Sequence, residues 1–297
     1  MRSDLALLSG LRFRMQPFPG RARLVDALGK IASRLGGQRA VFSPWVGSRF
    51  EVDLSDRIER QMWGGCYEAH VRKCLEALLH KADVFLDIGA HIGYHTVVAA
   101  CRVGIQGRVF SFEADPGLYE RLTRNVRQFS WVCPLQCAVW ERSGELSFER
   151  SSSEGESGWG TLTAVRDLRM GEHVPVQAVS LDDWCETSQV SKVRAIKIDA
   201  EGSEVSILQG ARRTIKRFRP MLLMEMNNVL LRQAGASVTE LATHHALENY
   251  SLFGLTWPRL HRLADGQAPR ADEAICIPKD QVEVTLDRLR QAGFKLC

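Results

Sequence analysis

The residues of this chain best suited to chemistry end apolar stretches. Residues 84–95 read VFLDIGAHIGYH, a strand-like run ending in Asp87 and breaking into Gly89, Ala90 and Gly93 before a helical pattern. Glycines at a strand-to-helix turn let backbone approach a ligand closely, and the following helix points its positive end at the bound group. The spacing GAHIG is not the GxGxxG of dinucleotide sites. An aspartate at this point would repel a pyrophosphate but suits a cationic or amine-bearing ligand, and S-adenosylmethionine carries both a sulfonium and an ammonium. A second acid, Glu113, ends RVFSFE. In a βαβ unit the second strand lies beside the first, so Glu113 reaches over the same crevice and can accept ribose hydroxyls. A third group lies in VRAIKIDAEGSEV, where Lys197 and Asp199 share one strand face and Glu201 stands with Gly202 in the turn that follows. A structural Lys197–Asp199 ion pair accounts for part of this. It does not explain why so apolar a strand carries two charges on one side.

These residues need elements to hold them. Strand patterns at 84–88, 108–113, 132–139, 193–199 and 220–226 alternate with helical patterns near 66–80, 94–103, 116–128 and 203–216. That order predicts an α/β fold, a mostly parallel sheet with helices on both faces. Asp115 followed by Pro116 reads as an N-cap and first helical position. GELSFER and HVPVQAVSL flank a Ser/Gly-rich segment at 151–160, which predicts a β insertion carrying a lid loop with Trp159. Beyond Asn228 the pattern weakens to a helix at 237–249 and strands near 251–257 and 274–278.

The net charge of +4 is uneven: residues 1–50 carry +7 and the remainder −3. The basic start includes an amphipathic stretch near 22–35 that suits packing on the main domain, or contact with an anionic membrane surface or nucleic acid. No apolar run reaches the roughly 18 residues of a membrane span, and the chain reads as a soluble cytoplasmic protein. Its eight cysteines form no CxxC pair and have no histidines at zinc spacing, so no metal site is expected.

DIGAHIGYHT, VFSFEADP, CAVW, LDDW, KIDAEGSEVSILQGA, PMLLMEMN and the entry segment WGGCYE together resemble the FkbM-type S-adenosylmethionine-dependent methyltransferases. The resemblance implies a Rossmann-like class I methyltransferase fold over residues 59–228, a basic N-terminal extension at 1–58, and sheet completion with an acceptor-side region at 229–297. It implies O-methylation of a hydroxyl on a small molecule, such as a sugar, glycan precursor or secondary metabolite, with S-adenosylmethionine as cofactor. Asp87, Gly89, Ala90, Gly93, Glu113, Ala138 and Glu68 are then expected at the cofactor. A hydroxyl must lose its proton to attack, so a carboxylate base is expected, in the order Glu201, Asp199, then His91, with Lys197 steadying the alkoxide. His91 and His95 stand where relatives often carry asparagine or tyrosine. Nucleic-acid binding is not expected. A nicotinamide-dependent oxidoreductase and a non-catalytic adaptor of the same fold are the alternatives.

Overall fold

The computed structural model describes residues 20–150, 160–162, 172–264, 266–270 and 272–297. A helix, Arg21–Gly36, precedes an antiparallel pair, β1 (Arg39–Phe42) and β2 (Phe50–Asp53). Then come β3 (Val84–Ile88), β4 (Arg108–Glu113) and β5 (Val132–Gln136), joined by helices Tyr94–Val103 and Pro116–Val126. The insertion supplies β6 (Ala138–Val139), β7 (Gly144–Arg150), β8 (Thr161–Leu162) and β9 (Glu172–Val179). The main sheet resumes with β10 (Ala195–Ile198) and β11 (Met221–Glu225), then β12 (Tyr250–Thr256), β13 (Arg259–Arg262), β14 (Glu273–Pro278) and β15 (Lys295–Leu296).

Nine of these strands form one sheet in the order β5-β4-β3-β10-β11-β14-β12-β13-β15. The first five are parallel, and β14 is antiparallel to β11 and to β12. The chain winds outward from β3 through β4 to β5, then returns to β3's other side with β10. The switch point between β3 and β10 opens a crevice beyond their carboxyl ends, where open α/β sheets bind ligands. Side-chain alternation fills both faces: Phe85, Ala195 and Leu223 join one core cluster, Leu86, Ile196 and Leu222 the other.

Three departures from the sequence-based expectations have local causes. The strand expected over 132–139 divides, since β5 joins the main sheet and β6 pairs in parallel with β9 in a separate four-stranded sheet. The helix expected over 203–216 is two, Glu204–Gln209 and Arg212–Phe218, broken at Gly210. A Cβ there would lie 2.2 Å from the Trp140 carbonyl oxygen, so the chain turns where it meets the insertion. The helix expected over 237–249 is Val238–Ala242 and a short 3₁₀ turn at His245–Leu247. The lid loop with Trp159 lies outside the described residues apart from Gly160.

The basic N-terminal part is not a solvated appendage throughout. Phe42, Phe50, Val52 and Leu54 are buried in the same cluster as Leu75 and Phe85. Glu59, fully buried, accepts from both Arg121 and the Asp53 backbone N–H, tying β2 to helix Pro116–Val126.

Candidate active site

The carboxyl ends of β3, β4, β10 and β11 meet in a cavity of about 370 Å³ whose walls include Glu68, Gly89, Glu113, Ala138, Asp199, Glu201 and Glu225. Of the residues singled out in the sequence, Glu68, Gly89, His91, Glu113, Ala138, Asp199 and Glu201 thus come together. Asp87, Ala90, Gly93 and Lys197 do not line this cavity.

Gly89 is glycine because of a neighbouring strand. Its φ is +74°, and a Cβ would stand 1.8 Å from the Asp199 carbonyl oxygen. Its N–H and that of Ala90 donate to the Phe112 carbonyl, which sews the β3 turn to β4. Gly93 (φ +91°) begins helix Tyr94–Val103 and abuts Leu122, where a Cβ would lie 2.6 Å from Cδ1. Asp87 is almost wholly buried; its Oδ2 accepts from Thr96 Oγ1 at 2.6 Å, while Oδ1 has no hydrogen-bond partner among the described residues. Asp87 therefore lies beneath the turn, beside its register partner Lys197, not at the cavity wall.

Glu113 reaches the crevice as expected, but both its oxygens already serve the backbone. Oε2 accepts from His91 N–H at 2.7 Å and Oε1 from Asp115 N–H at 2.9 Å. Each oxygen keeps one lone pair for a ligand hydroxyl. Burial pushes its carboxyl up to about 7. Asp115 caps helix Pro116–Val126 through Gly117 and Leu118, as its position before proline predicts. It also holds Arg150 of β7 at 2.7 Å, fastening the insertion to the main sheet.

Lys197 was expected either to pair with Asp199 or to steady an acceptor's alkoxide, and the pair is present. The side chain is 5% exposed and its Nζ bonds Asp199 Oδ2 at 2.6 Å. The ammonium holds Asp199 and, through its charge, Glu68. Burial works against ionisation of Glu68, but Lys197 and a 2.9 Å contact from His95 Nε2 hold its carboxyl well below the usual range. The Tyr67 hydroxyl is also hydrogen-bonded to Glu68.

Between Asp199 and Ser203 the chain turns sharply, with Glu201 at φ +52° and Gly202 at φ +100°. Glu204, which the sequence reading passed over, sets this turn: buried, its Oε1 accepts from Ala200 N–H at 3.1 Å and Gly202 N–H at 3.3 Å. The last acid of DAEGSE is the signal that could have found it. Of six non-glycine residues at positive φ among the described residues, Glu68, His91 and Glu201 line this one cavity. Each such conformation costs about 1–3 kcal/mol and persists where surrounding structure enforces it.

Glu225 closes the far side. Its Oε2 is buried without a hydrogen-bond partner among the described residues, and burial with neighbouring Asp199 and Glu201 pushes its carboxyl up to about 11. Burial pushes Glu204 up to about 7 and His91 down to about 4. Phe148, Gly160 and Leu162 of the insertion add an apolar wall, and Arg57, Ile58 and Gln61 come from the helix before Trp63. These distant contributors carry no motif of their own. Among the described residues, no group of three or more His, Cys, Asp or Glu is arranged to hold a metal ion.

The acids make stability depend on pH. Folded Glu113 and Glu204 keep protons up to about pH 7, while their unfolded forms lose them near 4.5. The native state binds more protons in that window, so stability falls as pH rises through it. Glu225 acts in the same direction, and His91 opposes only below its unfolded value of 6.5. From about pH 6.5 to 8 stability is expected to fall by on the order of 3 kcal/mol, lowering the thermal midpoint. A rising midpoint, read by calorimetry, would contradict this charge arrangement.

The part of the chain that builds most of this cavity matches a recognised domain. The methyltransferase FkbM domain matches residues 87–259, more than half of the chain. The hexuronic acid methyltransferase AglP of Haloferax volcanii is 33% identical over 140 residues, covering 46% of this chain and 54% of its own. The 2-O-methyltransferase NoeI of Sinorhizobium fredii is 25% identical over 161 residues, covering 50% of this chain and 66% of its own. The chain thus spans about half to two thirds of the curated relatives it matches. The crystal structure of an FkbM methyltransferase from Methylobacillus flagellatus aligns over 76% of this chain and 55% of its own, at 18% identity and a TM-score of 0.44. The domain match decides against the nicotinamide alternative, and this chain belongs to the FkbM methyltransferase family.

Proposed function

We propose that this protein is an S-adenosylmethionine-dependent O-methyltransferase acting on a sugar hydroxyl, with Glu201 as the base. The observation that carries the reading is the cavity itself: among the described residues, five carboxyl side chains, Glu68, Glu113, Asp199, Glu201 and Glu225, line it against one arginine, Arg57. Three of these carboxyls are raised by burial, and Glu225 keeps a buried oxygen without a hydrogen-bond partner among the described residues. Such a site is short of positive charge, which a cationic cofactor supplies. Glu68, Gly89, Glu113 and Ala138 would hold S-adenosylmethionine, with Glu113 accepting ribose hydroxyls and Asp87, Ala90 and Gly93 shaping the turn beneath. When bound, that cofactor supplies an electrophilic methyl group.

The chain's own residues do the rest. Asp199 is committed to Lys197, and His91, pushed down to about 4, is a feeble base near neutrality. Glu201 stands beyond both, in a turn held by Glu204, and takes the acceptor hydroxyl's proton. Phe112, Phe148 and Leu162 exclude water. The names of the two relatives support a sugar acceptor, and Arg57 suits one bearing a carboxylate. Calorimetric titration with S-adenosylmethionine, with NAD in parallel, tests the reading. Micromolar binding of the former alone, about −8 kcal/mol, followed by transfer of labelled methyl to uronic acid glycosides in a sugar panel, is expected. Folded protein that fails to bind S-adenosylmethionine would overturn it.

A further inference from the structure

Helix Arg21–Gly36 has two apolar faces, and only one is covered among the described residues. The inner face, Val25, Gly29 and Ala32, is buried. It sits tightly on the helix Arg57–Trp63: a Cβ on Gly29 would lie 2.6 Å from Arg60 Cδ, and one on Gly64 would lie 2.1 Å from Val25 Cγ1. Arg60 Nε donates to Asp26 Oδ1 at 2.7 Å, which pins the helix by charge as well. The outer face carries Leu24, Leu28 and Ile31, spaced i, i+4 and i+7 and 42%, 41% and 51% exposed. That spacing makes one continuous stripe. Arg23, Lys30 and Arg34, all exposed, run along its free flank, and the one acid of the helix, Asp26, is taken up by Arg60 and Lys30.

We infer that this face docks on an anionic lipid bilayer, the helix lying in the interface plane with its inner face still on the protein. An apolar stripe flanked by a row of cations is complementary to acyl chains beneath acidic headgroups. A second copy meeting the stripe face to face would bring two like-charged rows together. Nucleic acid would take up the cations but leave three large aliphatic side chains wet. No helix among the described residues is long and apolar enough to cross a membrane, so the contact is a surface one. The inference is independent of the proposed catalytic activity.

Cosedimentation of the full chain with vesicles tests it, phosphatidylcholine alone against an equal mixture with phosphatidylglycerol. The mixed vesicles are expected to bind the protein and to release it as salt rises; pure phosphatidylcholine is expected to bind at least about tenfold more weakly. Combined Leu24→Ser, Leu28→Ser and Ile31→Ser substitution is expected to cut partitioning at least about tenfold, with the fold retained in circular dichroism because none of the three side chains is buried. Combined Arg23→Glu and Arg34→Glu is expected to do the same and to abolish the salt dependence. No binding to the mixed vesicles overturns the inference. So does undiminished binding by the triple serine variant, which would place the contact elsewhere, or a dimer in light scattering that the triple variant dissolves.

Discussion

Glu201→Gln is expected to reduce turnover by about 10²–10⁴-fold, the usual worth of a positioned general base, while S-adenosylmethionine affinity stays within about tenfold. The amide keeps the shape and the strained φ of +52° but cannot take a proton. In free energy the loss is about 3–5 kcal/mol on the barrier. Asp199→Asn provides the contrast: it releases Lys197, whose ammonium is 2.6 Å away and buried, so stability should fall together with activity. Calorimetry on each variant, with single-turnover transfer to an accepted sugar, separates the two. If Glu201→Gln instead lost the cofactor, Glu201 would belong to the binding wall and the base would have to be sought elsewhere.

Gly89→Ala is expected to destabilise the protein by about 4 kcal/mol or more. Part is the left-handed backbone at φ +74°, about 1–2 kcal/mol for a residue with a Cβ. The larger part is collision, because the new methyl would stand 1.8 Å from Asp199 O and 2.9 Å from its carbonyl carbon. Both are backbone atoms on the adjoining strand end and cannot rotate away. Relief would require β3 and β10 to part at the cavity floor, carrying Asp199 and Glu201 with them. Gly144→Ala is the control, since its Cβ would meet nothing within 4 Å. Urea midpoints should therefore differ widely between the two. A Gly89→Ala protein within about 1 kcal/mol of the parent would show that the strand ends can yield.

The sequence by itself determined what depends on near neighbours. β3, β4 and helix Tyr94–Val103 lie within the expected bounds, and Asp115 caps where proline follows it. Apolar alternation, helical periodicity and turn chemistry act within a few residues, so they survive in a linear reading. The acids at the ends of β4 and β10, Glu113 and Asp199, were legible for the same reason.

Tertiary structure decided the remainder, through contacts between distant parts of the chain. It parted residues 132–139 between two sheets, and it broke the expected helix 203–216 at Gly210 where the Trp140 carbonyl leaves no room for a Cβ. It turned Lys197 beneath the cavity toward Asp199, and made Gly89 answer to a neighbouring strand. Phe148 and Leu162 reach the cavity from an insertion that Arg150 fastens to Asp115, 35 positions away. A residue's type and spacing disclose which chemistry it can perform. Whether it faces a ligand or a neighbouring backbone is settled by packing across the sheet, where close contacts between non-local segments outweigh local preference.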